Sequence, residues 1–276
     1  MTLIIFFALS NSIISSISSV NISYPITPSL AGCVLARLRM IWYKIFMPGK
    51  NEIKVYLENG VYHLFNRGVE KRLIFLETID YSVFLAYLKS YLLPQDKDNL
   101  RNMLTSASYK EKDKILKLLR LNNYYKNIDL IAYCLMPNHF HLLVKQKSAD
   151  SINKFIKSLC TRYAMYFNKK YKRVGPLFQG NYKGVLVQDN EQLFYLSRYI
   201  HHQALYFQDK KLISPQPSSY PNYLGNISQK WVKPEEILSF FKTARRTSLK
   251  DILFYQSFVE NNHEDYQETI AKLLLD

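Results

Sequence analysis

An α+β domain, with one antiparallel sheet backed by helices, is what this sequence predicts. Three observations carry the prediction. Short apolar runs bounded by turn residues alternate with longer stretches of helical spacing. The order of these segments is strand, helix, strand, strand, helix, strand. Hydrophobic residues at 48% and aromatics at 14% of 276 residues suffice for a packed core of ordinary domain size.

In chain order, Val61 to Arg67 reads as a strand stopped by Gly68. Asp80 then opens a helix with Phe84, Leu85, Leu88 and Leu92 on one stripe. Residues 94–127 are polar and rich in Lys and Asn, with one helix expected from Lys110 to Leu121, and read as an insertion between core elements. Asp129 to Met136 is an apolar run of buried-strand length. Pro137-Asn138 makes a tight turn, and His139 to Gln146 returns antiparallel beside it. Asp150 or Ser151 caps a helix whose stripe is Ile152, Phe155, Ile156, Leu159, Tyr163, Tyr166 and Phe167, ended by Gly175-Pro176. Leu177 to Gln188, interrupted at Gly180, is a fourth strand, and Asp189 or Asn190 caps a last helix reaching Phe207. This order is a ferredoxin-like split βαβ sandwich. Residues 208–276, with three early prolines and then two or three short helices, form a C-terminal helical appendage.

The domain thus spans 46–207. Residues 1–45 are expected to be a disordered extension, with Met40 or Met47 as the working start. The Leu3–Leu9 run is too short for a membrane span, and no Lys or Arg precedes it as in a signal peptide. Cys33, Cys134 and Cys160 form no CxxC and leave one unpaired, so a reducing, cytoplasmic setting is expected, with no membrane partner.

The formal charge of +15 suggests a polyanionic partner without choosing between nucleic acid and anionic lipid. Its distribution is more telling. From Lys145 to Gly184 there are ten Lys or Arg against one carboxylate, Asp150, with tyrosines and phenylalanines interleaved. Cations for phosphates and rings for unstacked bases are what single-stranded nucleic acid requires. Arg67, Lys154, Lys157, Lys169, Lys170, Lys172, Arg173 and Lys183 are the candidate contacts.

The chemistry-bearing residues are sparse. Strand alternation puts His139 and His141 on one face and Phe140 on the other. Residues four apart on a helix share a face, so Tyr199 and Gln203 point the same way. Two imidazoles and an amide oxygen can hold one divalent ion, with a phenol beside it. Taken singly these residues are weak signals: a strand histidine is more often a surface or hydrogen-bonded residue, and the chain has 22 tyrosines. With no carboxylate near the pair in sequence, the ion would keep its full charge to polarise a phosphate oxygen.

The stretch Leu135-Met136-Pro137-Asn138-His139-Phe140-His141-Leu142-Leu143 resembles the signature strand of the HUH single-tyrosine transposases, particularly the branch associated with repetitive extragenic palindromes. Asn66-Arg67-Gly68, Gly175 to Lys183 and Arg198-Tyr199-Ile200-His201 resemble other blocks of that family in the same order. Ser218-Ser219-Tyr220 and Phe254 to Val259 resemble its C-terminal region. The resemblance implies a metal-dependent nuclease in which His139 and His141 hold Mg²⁺ or Mn²⁺ and Tyr199 attacks DNA. Gln203 matches the insertion-sequence branch, where a glutamine supplies the third ligand; the palindrome-associated branch more often has asparagine there. The implied substrate is a single-stranded DNA hairpin or palindrome, cut and rejoined through a 5′-phosphotyrosine. Relatives act as monomers or as homodimers that exchange the tyrosine helix. Two rivals stay open from the residues alone: a non-catalytic ferredoxin-like RNA-binding module, and an HUH relaxase or replication initiator.

Overall fold

The computed structural model describes residues 56–205, 207–208, 211–212, 215–241 and 248–260. The expected N-terminal extension, Cys33 and Tyr206 lie outside them. Four strands form one antiparallel sheet in the order β2-β3-β1-β4: β1 Val61–Arg67, β2 Ile128–Met136, β3 His139–Gln146 and β4 Lys183–Leu186. This is the split βαβ topology expected from the element order.

Helices cover both faces. On one, α1 (Thr78–Leu92) and α4 (Ser151–Lys170) bury Phe84, Leu88, Phe155, Leu159 and Tyr163 against Tyr62, Leu64, Phe140 and Leu142. On the other, α5 (Asn190–Gln203) brings Leu196 and Ile200 onto Ala132, Cys134 and Leu143. With both faces covered, β2 can be apolar throughout rather than alternating. A bulge between Leu130 and Ala132 puts Ile131 and Ala132 together in the α5-side core.

The insertion holds two helices, α2 (Lys97–Ser106) and α3 (Tyr109–Arg120), where the sequence predicted only the second. The missed helix buries no residue, so it lacks the apolar stripe by which a helix is read, and its start rests on Asp96 accepting from the Asn99 amide at 2.9 Å. The fourth strand is shorter than predicted. Leu177 and Phe178 are buried but leave the ladder, touching β1 through one bridge, Gly68 with Phe178, before Gly180 turns at φ +73°. The last helix stops at Gln203, and Phe207–Gln208 (β5) instead pairs with Lys211–Leu212 (β6).

The C-terminal region carries α6 (Tyr220–Tyr223), α7 (Glu235–Phe241) and α8 (Ser248–Glu260), and it is built into the core. Tyr223, Ile237 and Tyr255 complete the α5-side cluster. Bridges from Ser218 to Cys134 and from Val232 to Leu130 cover the outer edge of β2, which would otherwise present unpaired backbone groups. Among the described residues no helix is long and apolar enough to cross a membrane.

Candidate active site

The β2–β3 hairpin turns through Pro137-Asn138 and pairs Met136 with His139. The turn is held from outside. Ile74 and Phe75 donate their amides to the Pro137 carbonyl at 2.8 and 3.1 Å, and the Gly68 amide donates to the Asn138 carbonyl at 2.8 Å. This crowding explains Gly68: a Cβ there would stand 2.2 Å from the Arg72 carbonyl oxygen. His139, which starts β3, therefore sits on a braced segment.

The antiparallel register sets His141 opposite Phe65 and His139 opposite Arg67, so His63, Phe65, Arg67, His139 and His141 share the α5 face of the sheet. The rings of His139 and His141 are 4.8 Å apart and nearly perpendicular. The ring of Tyr199, from α5, stands edge-on to His141 with centroids 5.6 Å apart. Lys183 pairs with Phe65 and holds its ammonium 5.5 Å from that ring's centre. Gln203, half-buried, is the last residue of α5, one turn beyond Tyr199.

Hydrogen bonds determine which nitrogen each imidazole presents. His139 Nδ1 lies 2.6 Å from Asn138 Oδ1, an acceptor, so Nδ1 carries the proton and Nε2 the lone pair. His141 Nδ1 lies 2.9 Å from His63 Nε2. The other nitrogen of His141, Nε2, is buried and has no hydrogen-bond partner. Burial first, then the neighbouring His63 and His139, holds the His141 imidazole well below the usual histidine range, so it is neutral at physiological pH. A neutral, buried imidazole with one unused nitrogen fits a cation ligand. Among the described residues no three His, Cys, Asp or Glu side chains are grouped to hold a metal, so a third ligand from those residues would be of another type, as an amide oxygen is.

Two supporting residues escaped the sequence reading. His63 shares the face of Phe65 and Arg67, but its bond to His141 spans 78 positions and depends on the register between two strands. Asn138 was read only as a turn residue, and it also sets the His139 tautomer.

The sheet divides the predicted basic residues. Arg67 and Lys183 lie on the histidine face. Lys154, Lys157 and Lys169 are exposed on α4, in the layer across the sheet, and Lys172 and Arg173 follow its end. Lys170 turns inward: its ammonium lies 2.8 Å from Asp80 and 3.1 Å from Glu77. Asp80, at the start of α1, is fully buried. Burial pushes its carboxyl up, but hydrogen bonds from Lys170, Tyr171, the Leu76 amide and Tyr166 outweigh that and hold it at about 2. Lys170 is thus the counter-ion of a buried carboxylate, and Arg173 is bonded to Asn168 at 3.1 Å.

Residues 99–203 match the family model described as "Transposase IS200 like". The matched segment spans less than half of the chain. The match takes in His139, His141 and Tyr199 and ends on Gln203. No curated protein matches the chain. Among solved structures, the chain is similar to a REP-associated tyrosine transposase bound to a REP hairpin, at 10% identity over 55% of this chain and 70% of that one, with a TM-score of 0.35. It is also similar to a candidate transposase of Deinococcus radiodurans, at 18% identity over 55% and 96%, with a TM-score of 0.24. A third similarity, to tRNA(His) guanylyltransferase from Saccharomyces cerevisiae, has 14% identity over 81% and 86% and a TM-score of 0.26. Likenesses this distant carry nothing about chemistry, and the site stands on its own geometry.

Proposed function

We propose that this chain is a transposase that cuts and rejoins single-stranded DNA at a hairpin or palindrome, with Tyr199 as nucleophile and a divalent ion, Mg²⁺ or Mn²⁺, held by His139, His141 and Gln203. The observation that carries the reading is the buried, unpartnered Nε2 of His141 beside the Tyr199 ring. A structural histidine would have both nitrogens satisfied. The family match and the neutral state of His141 support it.

When bound, the ion supplies Lewis acidity to a scissile phosphate oxygen. The chain does the rest. Arg67 and Lys183 approach the phosphodiester from the same sheet face, and the braced hairpin keeps His139 and His141 in register. The Tyr199 oxygen attacks phosphorus in line, its O–P bond forms, and the P–O3′ bond breaks. A 5′-phosphotyrosine results, and the departing 3′ oxygen ends as a hydroxyl, taking up a proton for the one the phenol gives up. Attack by another 3′-hydroxyl reverses these steps and joins two DNA ends without ATP. Lys154, Lys157, Lys169, Lys172 and Arg173 add attraction for phosphates at the helical layer.

The test is a labelled single-stranded hairpin incubated with the protein and Mn²⁺ or Mg²⁺, then resolved under denaturing conditions. A covalent protein–DNA band is expected. Tyr199→Phe should abolish it while leaving hairpin binding and the melting temperature unchanged. Tyr195→Phe, one turn earlier, should retain it. A band surviving Tyr199→Phe would show that another residue is the nucleophile, and none from the unmodified protein with any hairpin or metal would refute the cleavage reading.

A further inference from the structure

The inserted helices are hard to explain as packing. Helix α2 buries nothing and α3 buries only Ile115, yet α3 presents a regular row of charge toward the domain. Between α3 and α4 lies a cleft of about 1180 Å³. Lys114, Lys117 and Arg120 line it from α3, and Lys154, Lys157 and Arg162 line it from α4. On α4 the lining residues 154, 157, 158, 161, 162 and 165 follow helical spacing, so one continuous stripe faces the cleft. One carboxylate, Asp150, lines it among the described residues; it is exposed and 3.8 Å from Lys154. Arg162 is held in place rather than loose: its guanidinium sits 3.8 Å above the Tyr87 ring and donates to Ser90 Oγ at 3.2 Å.

From this we infer that the cleft between the inserted helix and α4 is a second DNA-binding groove, which grips the phosphate backbone of the strand beyond the cleaved hairpin. The inference rests on the proposed cleavage of DNA at the histidine face. The six cations provide charge complementarity to a polyanion. The aromatic rings of the cleft wall, Tyr91 and Tyr124, are buried and offer no stacking platform, so the groove reads charge and not bases. Its place also sets the geometry. It runs from Asn127 and Ser148, beside the end of the sheet where Ile128 pairs with Gln146, along α4 to Met165, in the layer across the sheet from the histidines. DNA held at the histidine face reaches the groove only by passing around the sheet, so it is a flank beyond the hairpin that fills it.

The experiment uses the full chain and two labelled probes: a minimal hairpin, and the same hairpin extended by about twenty nucleotides of arbitrary sequence, enough to pass around the sheet. The variant is Lys114→Gln/Lys117→Gln/Arg120→Gln, all on exposed positions of the inserted helix, with its melting curve as the folding control. For the extended probe, affinity should fall at least about tenfold near 0.1 M salt, and the slope of log affinity against log salt should drop by about 2, as three lost single-strand phosphate contacts dictate. Binding and adduct formation on the minimal hairpin should stay within about twofold, since that probe has no flank to lay in the groove. Changing the flank's sequence should not alter the result. Equal losses on both probes, or no loss on either, would overturn the groove while leaving the cleavage reading intact. Failure of the unmodified protein to bind either probe would refute both.

Discussion

His141 and His201 occupy the same layer, between the sheet and the α5 side of the molecule, and both are buried. They differ in one respect. His201 has both ring nitrogens engaged, Nδ1 with the Tyr255 hydroxyl at 2.7 Å and Nε2 with Ser219 Oγ at 2.8 Å. Ser219 in turn accepts from the Tyr133 amide at 2.8 Å, so the network ties α5 to β2 and the C-terminal region. His141 has only its Nδ1 engaged, with Nε2 left over. Two imidazoles in equally dry surroundings are thus distinguished by hydrogen-bond accounting and not by burial. The satisfied one belongs to the fold, and the unsatisfied one is set up for something that arrives later.

The sharpest way to break this contrast is to remove each ring and compare stabilities in the absence of metal. His201→Ala leaves a cavity and strips buried partners from Ser219 and Tyr255, so it should cost about 3 kcal/mol. His141→Ala also leaves a cavity and strips one partner, from His63, but it removes an unsatisfied polar atom, so a smaller cost, about 2 kcal/mol, is expected. Denaturant unfolding followed by fluorescence reads both. Equal costs would mean that His141 is as structural as His201.

A smaller effect separates His63 from its neighbours. His63 holds His141 by Nδ1, which is what leaves Nε2 facing outward from that bond. If His139 and His141 bind the ion as proposed, His63→Phe should weaken Mn²⁺ affinity about 10- to 100-fold, the usual cost of losing a partner behind a metal ligand. His63→Gln, which keeps a hydrogen-bonding group, should recover part of it. Calorimetric titration of Mn²⁺ into each protein measures this without any cleavage assay. Unchanged affinity in His63→Phe would reduce the contact to packing.

Much of this arrangement was legible in the sequence, and the exceptions have a common physical origin. The β2–β3 hairpin and α4 were readable because each carries its own pattern: an apolar run of strand length around Pro137-Asn138, and a stripe from Ile152 to Phe167. Alternation alone placed His139 and His141 on one face. Helix α2 had no buried side to leave a pattern, and the Leu177-Phe178 pair was apolar because it packs in the core, not because it continues a strand. The reading of the basic stretch failed in a different way. Adjacency in sequence made one surface of Lys154, Lys170 and Lys183, whereas the sheet puts Lys183 on the histidine face, Lys154 behind it, and Lys170 against Asp80. Asp80 is buried and takes hydrogen bonds from Tyr166, Tyr171 and the Leu76 amide, and nothing local to Lys170 announces it.

The smallest effect is in the response to acid, and it tests the two histidines on equal terms. Burial pushes the His201 imidazole down to about 3, and His141 is displaced in the same direction. In the unfolded chain a histidine takes up its proton near pH 6.5. Above that pH both states are neutral, so the contribution to stability is fully present. As pH falls below 6.5 the unfolded state binds protons that the folded state refuses, and stability is lost at about 1.4 kcal/mol per pH unit for each such group. The window from pH 6.5 to 5 lies above the range where Asp80, held at about 2 in the fold against the usual 3.8, begins to contribute. With chelator present, His201→Gln and His141→Gln should each flatten the acid limb by one proton's worth of slope. They should part at pH 8, where only His201→Gln starts from a lower stability, because only that ring had two bonds to lose. A series of denaturant midpoints from pH 8 to 5 on three proteins decides it. If His141→Gln leaves the slope unchanged, its imidazole was already protonating in the folded state, and a ring that does so could not hold a neutral lone pair ready for an ion.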